Sequence, residues 1–151
     1  NYVGAIEMFD KSSKYPLDKQ VHLNALYWKG ESYSMMKNYQ ASIIPYEVLI
    51  NYGSALENEN VNKAYYSLGY SYYYLKDWEK SIKYFKVYLT EKVELKGKKD
   101  KYYADAQLRL ADLYFVTRRF PEAIKNYDLA KLEATSGVDY ILFQMATIQD
   151  I

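Results

Sequence analysis

Residues 65–89 carry two apolar stripes at helical spacing. Tyr65, Leu68, Gly69, Tyr72 and Leu75 recur on one face of a first helix, and Trp78, Ile82, Phe85 and Leu89 on one face of a second. Only Lys76 and Asp77 separate them, and so short a link forces the two helices to lie antiparallel. The unit is a helical hairpin. A glycine in mid-helix costs about 1 kcal/mol relative to alanine, so Gly69 predicts close approach of the partner helix near Ser81.

The same pattern recurs to either side. Tyr2, Ala5, Ile6 and Phe9 form one stripe, closed by Tyr15-Pro16, whose proline is a helix stop. A first helix from about Asp18 to Met36 carries Leu26, Gly30 and Tyr33, with Lys29 in a place predicted to lie nearer solvent. Lys37-Asn38 makes the turn, with Asn38 as N-cap. The next helix bears Tyr39, Ser42, Ile43, Tyr46 and Leu49, with Pro45 predicted to kink it. Residues 54–63, SALENENVNK, are polar and read as a connector. The second helix of the central hairpin is expected to run to about Leu95, and Lys96 to Lys101, KGKKDK, to form a solvated loop. A further unit starts near Asp100, with Gln107, Leu110, Ala111 and Tyr114, a turn at Arg118-Arg119, then Phe120, Ala123, Ile124 and Tyr127. Gly137 precedes a last helix, Val138 to Ile151, in which Leu142, Met145, Ala146 and Gln149 repeat the first-helix stripe.

The spacing Tyr65-x-x-Leu68-Gly69-x-x-Tyr72 followed by Ser81-x-x-x-Phe85 resembles the tetratricopeptide repeat, with Tyr where Trp is usual, Ser for Ala, and no Pro after the second helix. The resemblance implies an all-α, right-handed α-solenoid of antiparallel helix pairs, about seven to eight helices, spanning residues 1–151 as one fragment. Its units are a half repeat at 1–16, repeats at about 18–53, 60–95 and 100–134, and a half repeat at 138–151. The small residues expected at the helix crossings, Ala5, Ser42, Ser81 and Ala123, are 37, 39 and 42 residues apart, longer than the usual repeat. That spacing and the Tyr-Pro ending resemble the bacterial tetratricopeptide proteins of the cell envelope, including the outer-membrane assembly lipoproteins, and imply a periplasmic location. The chain opens inside a helical pattern without an initiating Met, so we read it as a processed or partial chain of a larger protein.

Composition narrows the function. With 20 Lys and Arg against 19 Asp and Glu, the net charge is +1, and no global field draws a polyanion or an acidic membrane. Nucleic acid is therefore disfavoured as a partner; stacking of single strands on the tyrosines would lack a basic groove. No apolar run approaches a membrane span. There is no Cys, one His, no phosphate-binding glycine loop and no nucleophile motif. We expect no enzyme activity, no cofactor and no metal site. His22 is expected to be an exposed helix residue, and carboxylate pairs such as Glu57/Glu59 and Asp100/Asp105 to be solubilising charges.

Function must then come from a surface. In stacked helical hairpins the first helices line the concave side, which binds segments of other proteins. The residues predicted to line this groove are Tyr27, Glu31, Met35, Tyr66, Tyr70, Tyr73, Tyr74, Leu108, Asp112, Phe115 and Phe143, with Glu31 and Asp112 as acidic edges. The 20 tyrosines of the chain serve packing and recognition alike. The Lys and Asn clamp of the chaperone-binding subclass is absent, its places being Tyr27 and Glu31, Tyr66 and Tyr70, and Leu108 and Asp112. The reading is a protein-interaction scaffold that binds a protein or peptide partner. The alternative is a ligand-sensing domain whose aromatic groove holds a small molecule and reports to an output domain. The two half repeats further predict apolar ends and head-to-tail self-association.

Overall fold

The computed structural model describes residues 2–13, 18–94, 101–134 and 136–150. Among them are eight α-helices: α1 (Tyr2–Ser13), α2 (Lys19–Met35), α3 (Tyr39–Gly53), α4 (Asn60–Tyr74), α5 (Trp78–Glu94), α6 (Lys101–Val116), α7 (Phe120–Glu133) and α8 (Val138–Gln149), with a short 3-10 turn at Ser54–Leu56. The all-α expectation holds. The Tyr15-Pro16 stop, Leu95 and most of the basic stretch after it lie outside the described residues.

Three turns between paired helices are built alike. Lys37, Lys76 and Arg118 each take a left-handed conformation, at φ 59°, 61° and 58°. The residue after each donates its N–H back into the preceding helix: Asn38 to the Tyr33 carbonyl at 2.9 Å, Asp77 to Tyr72 at 3.0 Å and Arg119 to Tyr114 at 2.8 Å. This Schellman geometry closes the helix end. A non-glycine residue there costs about 1–2 kcal/mol, offset in part by a basic side chain beside the negative end of the helix dipole. Asn38 then caps α3 by accepting from the Ala41 N–H, and Asp77 caps α5 by accepting from Lys80. In α7 Pro121 stands in the first turn, where its missing donor is not needed.

The chain divides into two compact units, Asn1–Tyr84 and Phe85–Ile151, with α5 running through the boundary. In the first unit α1 packs on α2, α2 on α3 and α3 on α4. Leu23, Tyr27, Ile43, Tyr46, Leu49, Ala64, Leu68 and Tyr72 form its core. Crossings are made by small residues. Ser81 donates to the Gly69 carbonyl at 2.7 Å in a buried bond, and the hydroxyls of Ser42 and Ser71 meet at 2.8 Å. Gly30 leaves room for the Tyr46 ring, because a Cβ there would fall 2.7 Å from Tyr46 Cδ1. In the second unit α6 packs along α7, and α7 against α8, over Ala106, Leu110, Ala111, Leu113, Ala123, Tyr127, Ala130 and Ile141.

Three local expectations change. α3 continues through Pro45 as one helical element to Gly53. The polar stretch 54–63 is not a simple connector, since α4 begins at Asn60 and both Asn58 and Asn60 are buried. Their amides satisfy one another and α2: Asn58 Nδ2 donates to Gln20 and Asn24, Asn60 Nδ2 donates to Asn24, and Lys63 donates to Asn60. Buried amides persist when paired in this way. His22 is half-buried rather than exposed, with its Nδ1 shielded from solvent and without a hydrogen-bond partner among the described residues. Lys29, by contrast, does lie toward solvent and pairs with Asp10 of α1.

Candidate protein-binding surface

Helix α4 is the most aromatic element of the chain. Tyr72 turns into the core, while Tyr66, Tyr70 and Tyr73 are half-buried and Tyr74 is 53% exposed. Their rings touch in sequence. Tyr66 meets Tyr70 edge-on at 5.2 Å between centroids, Tyr70 meets Tyr73 at 6.2 Å and Tyr74 at 6.1 Å, and Tyr73 meets Tyr74 at 5.6 Å. Two rings outside α4 extend the array. Tyr39, the first residue of α3, stacks on Tyr74 at 4.4 Å and 14°, and Trp78, the first residue of α5, meets Tyr73 at 5.8 Å. Each such pair contributes about 0.5–1.5 kcal/mol beyond area burial, so the array is a pre-ordered wall rather than six independent side chains.

Of the other residues predicted to line the groove in the first unit, only Met35 is exposed, at 63%. Tyr27 is 9% exposed and belongs to the core, with Lys63 Nζ 5.8 Å from its ring centroid. Glu31 is turned inward. It accepts from the Tyr46 hydroxyl at 2.5 Å and from the Ser67 hydroxyl at 2.7 Å, joining α2 to α3 and to α4. The Tyr46 phenol is held far above its ordinary value, first by burial and then by the Glu31 charge.

In the second unit Phe143 is 67% exposed, Leu108 is half-buried and Phe115 packs edge-on against Phe120 at 6.1 Å. Asp112 is buried. Its Oδ1 accepts from Tyr127 at 2.8 Å and Tyr140 at 2.9 Å, and its Oδ2 from Arg109 at 2.7 Å. Burial raises the Asp112 carboxyl above its ordinary value, opposed by the Tyr127 hydroxyl, the Arg109 charge and the Tyr140 hydroxyl. The expected acidic edges are thus internal acceptors, because each carboxylate finds hydroxyl donors on the helices packed against it.

Sequence reasoning missed Tyr39 and Trp78. Each is the aromatic residue that opens a second helix directly after a capping Asn or Asp, and that placement was the available signal. It also missed Glu47, whose carboxylate receives the hydroxyls of Tyr72 at 3.2 Å and Tyr84 at 3.4 Å. Among the described residues no group of three His, Asp or Glu could hold a metal ion, and no helix is long and apolar enough to cross a membrane.

Antiparallel helix pairs, joined by matching turns and crossing at small residues, define a helical-repeat protein of the tetratricopeptide type. Residues 24–52 and 63–91 match the Tetratricopeptide repeat family; α6 and α7 lie outside both matches. Among solved structures, two of the nearly identical TPR-like repeats of a putative kinesin light chain from Podosopora anserina are similar at TM-scores of 0.75 and 0.74, each at 11% identity. They cover 99% of this chain, which in turn spans 77% and 78% of theirs. A chain of the CopN-Scc3 complex is similar at a TM-score of 0.63 and 19% identity, covering 92% of this chain and 73% of that one. These likenesses establish the fold. No curated protein matches the chain.

Proposed function

We propose that this chain is a non-enzymatic protein-interaction scaffold within a larger protein, and that the aromatic wall of α4 is where a partner segment docks. The observation that carries this reading is the contiguous array from Tyr66 through Tyr70, Tyr73 and Tyr74 to Tyr39 and Trp78, half-exposed and already ordered. Rigid aromatic anchors dominate interface energy because their rings bury much area and lose little freedom on binding. Met35 is a further exposed anchor on α2, while Tyr27, Glu31 and Asp112 support the wall or its repeats from within. Phe143, Leu108 and Phe115 are carried by the second unit as further candidate contacts. The clefts around Glu47 are open to solvent, which supports a protein partner over an enclosed small molecule. A bacterial cell-envelope parent belongs to the same proposal and rests on repeat spacing alone.

Replacing Tyr70 and Tyr73 together by Ala should weaken capture of partners from the source cell by at least about tenfold, or roughly 1.4 kcal/mol. Circular dichroism checks that both forms are equally helical. Undiminished capture by a folded double variant would move the binding surface elsewhere.

A further inference from the structure

A cleft of about 480 Å³ opens between α3 and the α4–α5 turn, away from any role assigned above. Ile43 and Ile44 of α3, Leu75 and the Tyr72 ring supply its apolar wall, and Ile44 is 67% exposed. Glu47 borders this cleft and also a smaller one of about 210 Å³ that it shares with Ile50, Asn51 and Tyr84. Its two hydroxyl donors are long, at 3.2 and 3.4 Å, and both reach the same oxygen, Oε1. The rings that carry them lie parallel, 5.4 Å apart at 2°.

No cation among the described residues pairs with Glu47. The two nearby lysines are engaged elsewhere. Lys80 pairs with Asp77 at 3.1 Å and stands 5.0 Å from the Tyr72 ring centroid, and Lys83 stands 5.3 Å from that of Tyr84. The larger cleft therefore sets two carboxylates against one lysine, beside an isoleucine and leucine wall. The Tyr72 and Tyr84 phenols are both raised, first by burial and then by the Glu47 charge, as an unneutralised carboxylate requires.

We propose that this cleft receives an arginine side chain carried by a segment of a partner protein. The occupant must combine an apolar stem with a cationic head, since the wall is aliphatic and the free acceptor is a carboxylate. Arginine fits better than lysine because its planar fork satisfies a carboxylate with two donors while lying on an aromatic face. A small inorganic cation would leave the exposed Ile44 wall unused. The inference rests on reading the chain as a protein-interaction scaffold, but it uses none of the α4 wall residues.

The test is a titration of the isotopically labelled chain with the blocked peptide acetyl-Ala-Arg-Ala-amide, followed by NMR at the isoleucine methyls. Saturable shifts at Ile43 and Ile44 are expected, weakened by about tenfold or more when citrulline replaces arginine, because the shape is kept and the charge lost. Glu47→Gln should weaken binding to a similar degree. Ile44→Ser, at an exposed position that the fold does not need, should weaken it by about threefold through loss of stem contact. The Tyr70→Ala and Tyr73→Ala pair should leave the titration unchanged, so failure here and failure of the α4 wall are separate results. Equal binding of the citrulline peptide, binding indifferent to both Glu47→Gln and Ile44→Ser, or free arginine binding where the peptide does not, would each overturn the proposal. Should Glu47→Gln fail to fold, Ile44→Ser and the citrulline contrast decide it.

Discussion

The Tyr127 hydroxyl donates to Asp112 across 15 residues of sequence, and the Tyr46 hydroxyl donates to Glu31 across the same interval. Both acceptors follow directly on the small crossing residue of a first helix, Gly30 or Ala111, and both donors are fully buried on the paired second helix. A second hydroxyl arrives from the next first helix, Ser67 for Glu31 and Tyr140 for Asp112. One carboxylate thus rivets a hairpin to the helix that follows. The central hairpin has Tyr70 and Phe85 at the equivalent places, so acceptor and donor are absent there together.

This predicts that Tyr46→Phe and Tyr127→Phe each cost about 1–3 kcal/mol, the range for a hydrogen bond to a charged group and the desolvation it leaves behind. Phenylalanine itself should fit, since Phe85 occupies the equivalent place at 0% exposure. Denaturant unfolding of both variants gives the measurement. Wild-type stability in either would mean that the bond contributes nothing net.

A second prediction concerns pH. Because burial raises the Asp112 carboxyl, the folded chain holds this proton more tightly than the unfolded chain does. The group therefore contributes stability below its ordinary value of 3.8 that is lost as pH rises through its higher folded value. Asp112→Asn removes this dependence while keeping an oxygen for Tyr127 and Tyr140. The melting temperature of Asp112→Asn minus that of wild type should grow as pH rises above 3.8. A difference that stays flat or shrinks would contradict the burial argument.

Gly30 and Gly137 should respond differently to alanine. A Cβ at Gly30 meets the ring of Tyr46, which is fully buried and has nowhere to go, so Gly30→Ala should cost about 3 kcal/mol. At Gly137 the φ of 77° is strained for alanine, but nothing lies within 4 Å, and the cost should be about 1 kcal/mol. Denaturation midpoints at equal m-value report both, and a reversed order would show that the Tyr46 ring yields.

The expected self-association has a specific surface in α8, where Leu142 is 49% and Phe143 67% exposed. If copies join there, sedimentation should show mass rising with concentration, and Leu142→Ser with Phe143→Ser should abolish the rise. At the other end Ile6 is already buried, so less apolar surface is offered than the stripe Tyr2, Ile6 and Phe9 predicts. A monomer at all concentrations would remove self-association from the proposal.

What the chain's order of residues determined by itself is the helical frame. Helix period, cap and turn are set within a few residues, so the hairpins, the Asn38 and Asp77 caps and the two-residue turns at Lys37, Lys76 and Arg118 were legible. Ser42, Ser81 and Ala123 were placed correctly at the crossings, each at 0% exposure, because only small side chains at that phase let two helices approach. Only the tertiary structure decided which way the polar and aromatic side chains of the first helices turn. Tyr27 is enclosed by residues of α2, α3 and α4, and Glu31 and Asp112 were drawn inward by hydroxyls 15 to 36 residues away. Asn58 and Asn60 look like loop residues until their amide partners on α2, 34 and 36 residues earlier, are in place. Such a side chain takes the direction in which its polar atoms find partners, and those partners are brought near only when distant helices pack.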